Sequence, residues 1–87
     1  MKQLVQVQEI EGEGLLSLLG ENVMIWCMNY IYWGKLIGVN DTCVKLGNAH
    51  IVYETGSLTG KIKDRQLLPF DHYVQTSSIE SFGQHAG

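Results

Sequence analysis

The chain has 87 residues, with one proline, ten glycines, two cysteines, 45% hydrophobic and 17% charged residues, and a formal net charge of −3. This length excludes a second domain, this balance excludes a disordered chain, and two cysteines exclude a disulfide-dense scaffold. The acidic sum also argues against a protein that coats nucleic acid by charge alone.

Residues 2–8 alternate loosely, with Leu4, Val5 and Val7 among polar neighbours, and predict an N-terminal strand. Glu11-Gly12-Glu13-Gly14 breaks the pattern. Leu15, Leu18 and Leu19 share one helical face before Gly20, which predicts one or two helical turns. From Val23 the period changes to two. Val23, Ile25 and Cys27 fall on one face of a strand, and Met24, Trp26 and Met28 on the other. Both faces are apolar, so both are expected to be covered. One cover is the core; the other is the short helix or another subunit. Met28-Asn29-Tyr30 predicts a turn. Residues 30–39 predict a second strand, bent at Gly34 and Gly38. Asn40-Asp41 predicts a turn, residues 42–46 a third short strand, and Gly47-Asn48 the next turn. Ile51-Val52-Tyr53 is the heart of a fourth strand. Residues 55–69 form a longer connection in which Gly60-Lys61-Ile62-Lys63 extends a hairpin. Residues 72–81 predict the last strand, anchored by Tyr73, Val74 and Ile79, and residues 83–87 a flexible tail. The whole is a single all-β domain: a short N-terminal helix, then a strongly bent five-stranded antiparallel barrel, with residues 2–8 as an extra strand.

Charge is uneven along the chain. Lys2 stands against Glu9, Glu11, Glu13 and Glu21, whereas Lys61, Lys63 and Arg65 stand against Asp64 alone. Such a basic run is ordinarily a solvated loop. The N-terminus lacks the apolar core of a secretory signal, and the apolar stretch from Val23 to Trp33 is too short for a membrane helix. A cytoplasmic protein with reduced thiols is expected. Cys27 and Cys43 are the candidate nucleophiles, with His50, His72 and His85 as candidate bases. No catalytic or metal-binding spacing joins them, and no enzyme, metal or cofactor is expected.

Taken in order, these residues resemble the Sm-like family (Sm, LSm and Hfq proteins) from about Leu15 to about Phe82. Leu15-Leu16-Ser17-Leu18-Leu19-Gly20-Glu21-Asn22-Val23 resembles its helix running into the first strand. Gly34-Lys35-Leu36-Ile37-Gly38-Val39-Asn40-Asp41 resembles its bent second strand and the turn after it. Leu46-Gly47-Asn48-Ala49 resembles the end of the first family motif, and Val74-Gln75-Thr76-Ser77-Ser78-Ile79 occupies the place of the second. The resemblance implies an SH3-like barrel. It also implies a closed homo-oligomeric ring that pairs the fourth strand of one subunit with the fifth of the next. The interface residues are then His50, Ile51, Val52, Tyr53 and Glu54 against Tyr73, Val74, Gln75, Ser77 and Ile79. A chain this small gains stability from such assembly.

The resemblance further implies binding of single-stranded RNA, with Asn40 and Asp41 in the turn and Gln75 and Thr76 from the second motif. Val44 or Lys45 stands where the family reads a base with asparagine, and Gln75-Thr76 stands where it has Arg-Gly. The family's uridine pocket is therefore altered. Lys45, Lys61, Lys63 and Arg65 are the candidate phosphate partners. Tyr30, Tyr32, Trp33, Tyr53 and Tyr73 are candidate stacking rings, although aromatics in a small barrel ordinarily serve core or interface. The alternative is a homo-oligomeric scaffold, or protein-interaction module, without nucleic-acid binding. No membrane and no small-molecule substrate is implied.

Overall fold

A computed structural model describes residues 14–87; the strand expected over residues 2–8 lies outside them. Six strands form: β1 (Asn22–Cys27), β2 (Ile31–Val39), β3 (Cys43–Glu54), β4 (Asp64–Leu67), β5 (His72–Gln75) and β6 (Ile79–Gln84). All pair antiparallel, in the order β4-β3-β2-β1-β6, and β5 also pairs with β3. The ladder does not close. Among the described residues, β4, β5 and β6 each pair along one edge only.

The expected helix is a single 3-10 turn, Leu15–Leu18. Ser17 donates its hydroxyl back to the Gly14 carbonyl at 2.6 Å, a local bond that competes with helix propagation. Leu16 stays exposed, while Leu15 and Leu18 pack on the core.

Two expected strands are one. β3 runs unbroken through Gly47 and Asn48, where a turn is predicted. Asn48 does adopt the left-handed conformation, with φ 49°. The register steps from Trp33↔His50 to Lys35↔Gly47, so this is a bulge with one extra residue in β3. Turn chemistry was legible there, but cross-strand pairing absorbed it into a kink.

The bulge lies opposite Gly34. A Cβ built on Gly34 would sit 2.9 Å from the Gly47 oxygen and 3.1 Å from the Ala49 Cα. Only glycine allows that approach of two backbones. The single last strand is also corrected: β5 ends at Gln75, a 3-10 turn Thr76–Ser78 follows, and β6 begins at Ile79.

β1 is covered on both faces, as its sequence demands. Val23, Met24 and Ile25 are all 0% exposed. Val23 and Ile25 join Leu36, Val44, Leu46, Ala49 and Val74 in one core. Met24 joins Trp33, Val52 and Ile62 in a second. Each such burial contributes about 1.5–3 kcal/mol.

The second cover is neither the helix nor another subunit, which corrects the expectation. It comes from Ile62 in the β3–β4 connection and from the C-terminal segment. Trp33 Nε1 donates to the His85 carbonyl at 2.8 Å, and Ile62 N–H donates to the Gly87 oxygen at 3.1 Å. His85 N–H donates to the Asn22 carbonyl at 3.0 Å. The expected flexible tail is thus bonded down: Gly83 and Gln84 belong to β6, and His85 and Gly87 lie against Trp33.

Candidate functional site

The sequence candidates separate into two places. Asn40, Asp41, Gln75 and Thr76 come together where the β2–β3 turn meets the β5–β6 turn. Asn40 Oδ1 accepts from Thr42 N–H at 2.8 Å, Cys43 N–H at 2.9 Å and the Thr42 hydroxyl at 3.0 Å. This Asx turn fixes the loop. Thr76 clamps it, donating its N–H to the Thr42 carbonyl at 2.9 Å and its hydroxyl to the Asp41 carbonyl at 3.1 Å. Lys45 stands two residues along β3, opposite Tyr73. Its ammonium lies 3.7 Å from the Asp71 carboxylate and 5.5 Å from the centre of the Tyr73 ring.

Lys61, Lys63 and Arg65 lie elsewhere. Arg65 pairs with Val52, seven residues beyond Lys45 on β3, a span of about 23 Å at strand rise. The Arg65 guanidinium stacks over Trp33 at 4.6 Å, and His50 tilts against the same indole at 5.3 Å. Lys63 pairs with Glu54 at 3.3 Å, both exposed, so the pair contributes little to stability. The expected basic patch and the expected turn site are therefore not one surface.

The expected interface also divides. His50, Ile51 and Val52 pair with β2 on one edge and β4 on the other, and Glu54 pairs with Asp64. Tyr53 donates its hydroxyl to Gln66 at 2.8 Å. This segment presents no free edge to a second copy. Val74 points into the core at 4% exposure, and Ile79 packs against that core. Tyr73 and Gln75, on the unpaired edge of β5, and Ser77 in the adjoining turn remain exposed.

A groove of about 250 Å³ opens between β5 and the β1–β2 turn. Cys27, Met28, Asn29, Tyr30 and Tyr32 line one side; His72, Tyr73, Val74, Gln75 and Ser78 line the other. Tyr32 and His72 pack with ring centres 4.9 Å apart, and Tyr30 and Tyr32 with centres 6.4 Å apart at 48°. The structure thus gathers Tyr30, Tyr32 and Tyr73 and leaves Trp33 and Tyr53 elsewhere. Tyr30 just precedes β2 and Tyr32 lies on it, two residues on, so their common face was legible. Their meeting with β5 was not, because the pairing is long-range.

Burial pushes the Cys27 thiol above the ordinary range; a bond to Ser78 opposes this and the nearby Glu80 carboxylate adds to it. Burial likewise raises the Tyr32 phenol, helped by Cys27 and Tyr30. A thiol held protonated has the opposite character to an activated nucleophile. Among the described residues, no three His, Cys, Asp or Glu side chains gather as metal ligands, and no helix is long and apolar enough to cross a membrane. Compared with known proteins, the chain matches no family model and no curated sequence.

Proposed function

We propose that this chain is an Sm-like barrel subunit that acts as a self-assembled ring, joined through the open edges of β5 and β6. The observation that supports this is the order β6-β1-β2-β3-β5, with β5 and β6 linked by a three-residue 3-10 turn. This is the strand order of a five-stranded SH3-like barrel, with β4 added along the far half of β3. In that count β5 is the fourth strand and β6 the fifth, and both carry an unpaired edge. Unpaired edges are templates for another chain, and a head-to-tail contact of unlike edges closes into a ring.

Gln75→Pro tests the joint. Thr76 N–H bonds toward β3, so by antiparallel alternation the Gln75 N–H points to the open edge. Gln75 already has φ −68°, which proline shares. The variant should keep a cooperative melting transition, at a lower temperature as the stability from assembly is lost, and lose the oligomer by light scattering. An unchanged oligomer would place the joint elsewhere.

Single-stranded RNA is the second reading, favoured by the clamp of Thr76 on the Asn40–Thr42 turn. Fluorescence anisotropy with oligo-U and oligo-A at low salt tests it. The RNA reading expects saturable binding; no binding to either oligomer in the high micromolar range leaves the scaffold reading.

A further inference from the structure

We propose that the groove between β5 and the β1–β2 turn is a binding site for a quaternary ammonium group. It is lined by residues of one copy of the chain, among them the β5 residues His72–Gln75, whose open edge the ring reading pairs with a second copy.

The walls carry the argument. Tyr30 and Tyr32, with centres 6.4 Å apart at 48°, form two adjoining walls. A cation seated in the angle between them lies within the ~6 Å at which a ring face attracts it. Tyr73 stands across the groove and is 59% exposed, and Tyr30 is 55% exposed. His72, from the opposite wall, packs against Tyr32 with ring centres 4.9 Å apart and holds that ring in place. The Lys45 ammonium, outside the groove lining and paired with Asp71, already lies over the Tyr73 ring, so this ring accepts a cation.

Charge selects the ligand. No Lys, Arg, Asp or Glu lines the groove. Glu80 stands near enough to act on the Cys27 thiol at its edge, and the chain as a whole is acidic. A phosphate would find no lining cation. A small, strongly hydrated ammonium would find no lining carboxylate to replace its water. A methylated ammonium is weakly hydrated, offers methyl groups to the rings and keeps its charge. The volume of 250 Å³ falls just below the roughly 300–1,000 Å³ of sites for larger small molecules, which suits a head group. Asn29, Gln75 and Ser78 at the rim supply hydrogen bonds to whatever carries it.

The test is NMR titration of the intact chain with tetramethylammonium, with ammonium chloride as control. Saturable shifts confined to Tyr30, Tyr32, His72 and Tyr73 are expected at millimolar concentration. Tyr30→Ala should weaken them about fivefold or more, and Tyr30→Phe, which keeps the ring, should restore them. Tyr30 is more than half exposed, so its truncation leaves the fold intact. A trimethyllysine peptide and phosphocholine then distinguish the source, the tighter of the two identifying it. No shift at about ten millimolar, equal shifts with ammonium, or a Tyr30→Ala titration matching the parent would each overturn the proposal.

Discussion

Met24→Ala is expected to lower the unfolding free energy by about 2–5 kcal/mol, the same range as Ile25→Ala. Both side chains are 0% exposed, and they point to opposite faces of β1. A chain of this size holds only about 4–13 kcal/mol in total, so either truncation removes a large share. The informative part is the concentration dependence. Met24 is covered by Trp33, Val52 and Ile62 of its own chain. Its loss should therefore be the same at low and high protein concentration in urea denaturation. A Met24→Ala deficit that fades as concentration rises would mean that a second subunit covers this face. Ile25→Val, expected at about 0.5–1.5 kcal/mol, gives a measurable baseline if the alanine variants unfold.

Gly34→Ala is expected to be nearly as damaging, by about 1–3 kcal/mol or more, although it adds one methyl group. The atoms in the way are backbone, the Gly47 oxygen and the Ala49 Cα, which cannot rotate aside. They sit at the bulge, so relief requires β2 and β3 to separate where Asn48 is already kinked. Gly83→Ala on β6 is the control. Nothing lies within 4 Å of its added Cβ, and the change should fall within about 0.5 kcal/mol. In a domain this small each kcal/mol moves the melting temperature by about 4–8 °C, so thermal unfolding separates the two variants. Equal melting temperatures would contradict the close approach at Gly34.

These two positions mark what the sequence made legible. The doubly apolar β1 could be read from alternation alone, because side-chain direction in a strand is local. What covers its second face could not, since Ile62 and the C-terminal segment reach it by long-range packing. Gly34 read as a bend and lies at a register shift where two backbones approach closely, while Gly47-Asn48 read as a turn because turn residues and bulge residues share the same chemistry. The split of the last strand into β5 and β6 was hidden for a similar reason: Thr76-Ser77-Ser78 has no proline or glycine to punctuate it. The resemblance grouped Asn40, Asp41, Gln75 and Thr76, but the hydrogen bonds by which Thr76 holds the Asn40 turn were not legible, because they join residues far apart in the chain. The separation of Lys61, Lys63 and Arg65 from that turn was not legible, because β4 and the connection before it lie along the far half of β3. The groove was visible only as a surplus of tyrosines without a common address.

In the proposed ring, the open edges of β5 and β6 are paired by further copies of the chain. The mass of the intact chain in solution tests this most directly, by light scattering or native mass spectrometry across a range of micromolar concentrations. The prediction is one discrete species at a fixed integer multiple of 9.8 kDa, unchanged on dilution. A particle that stays at 9.8 kDa throughout would contradict it.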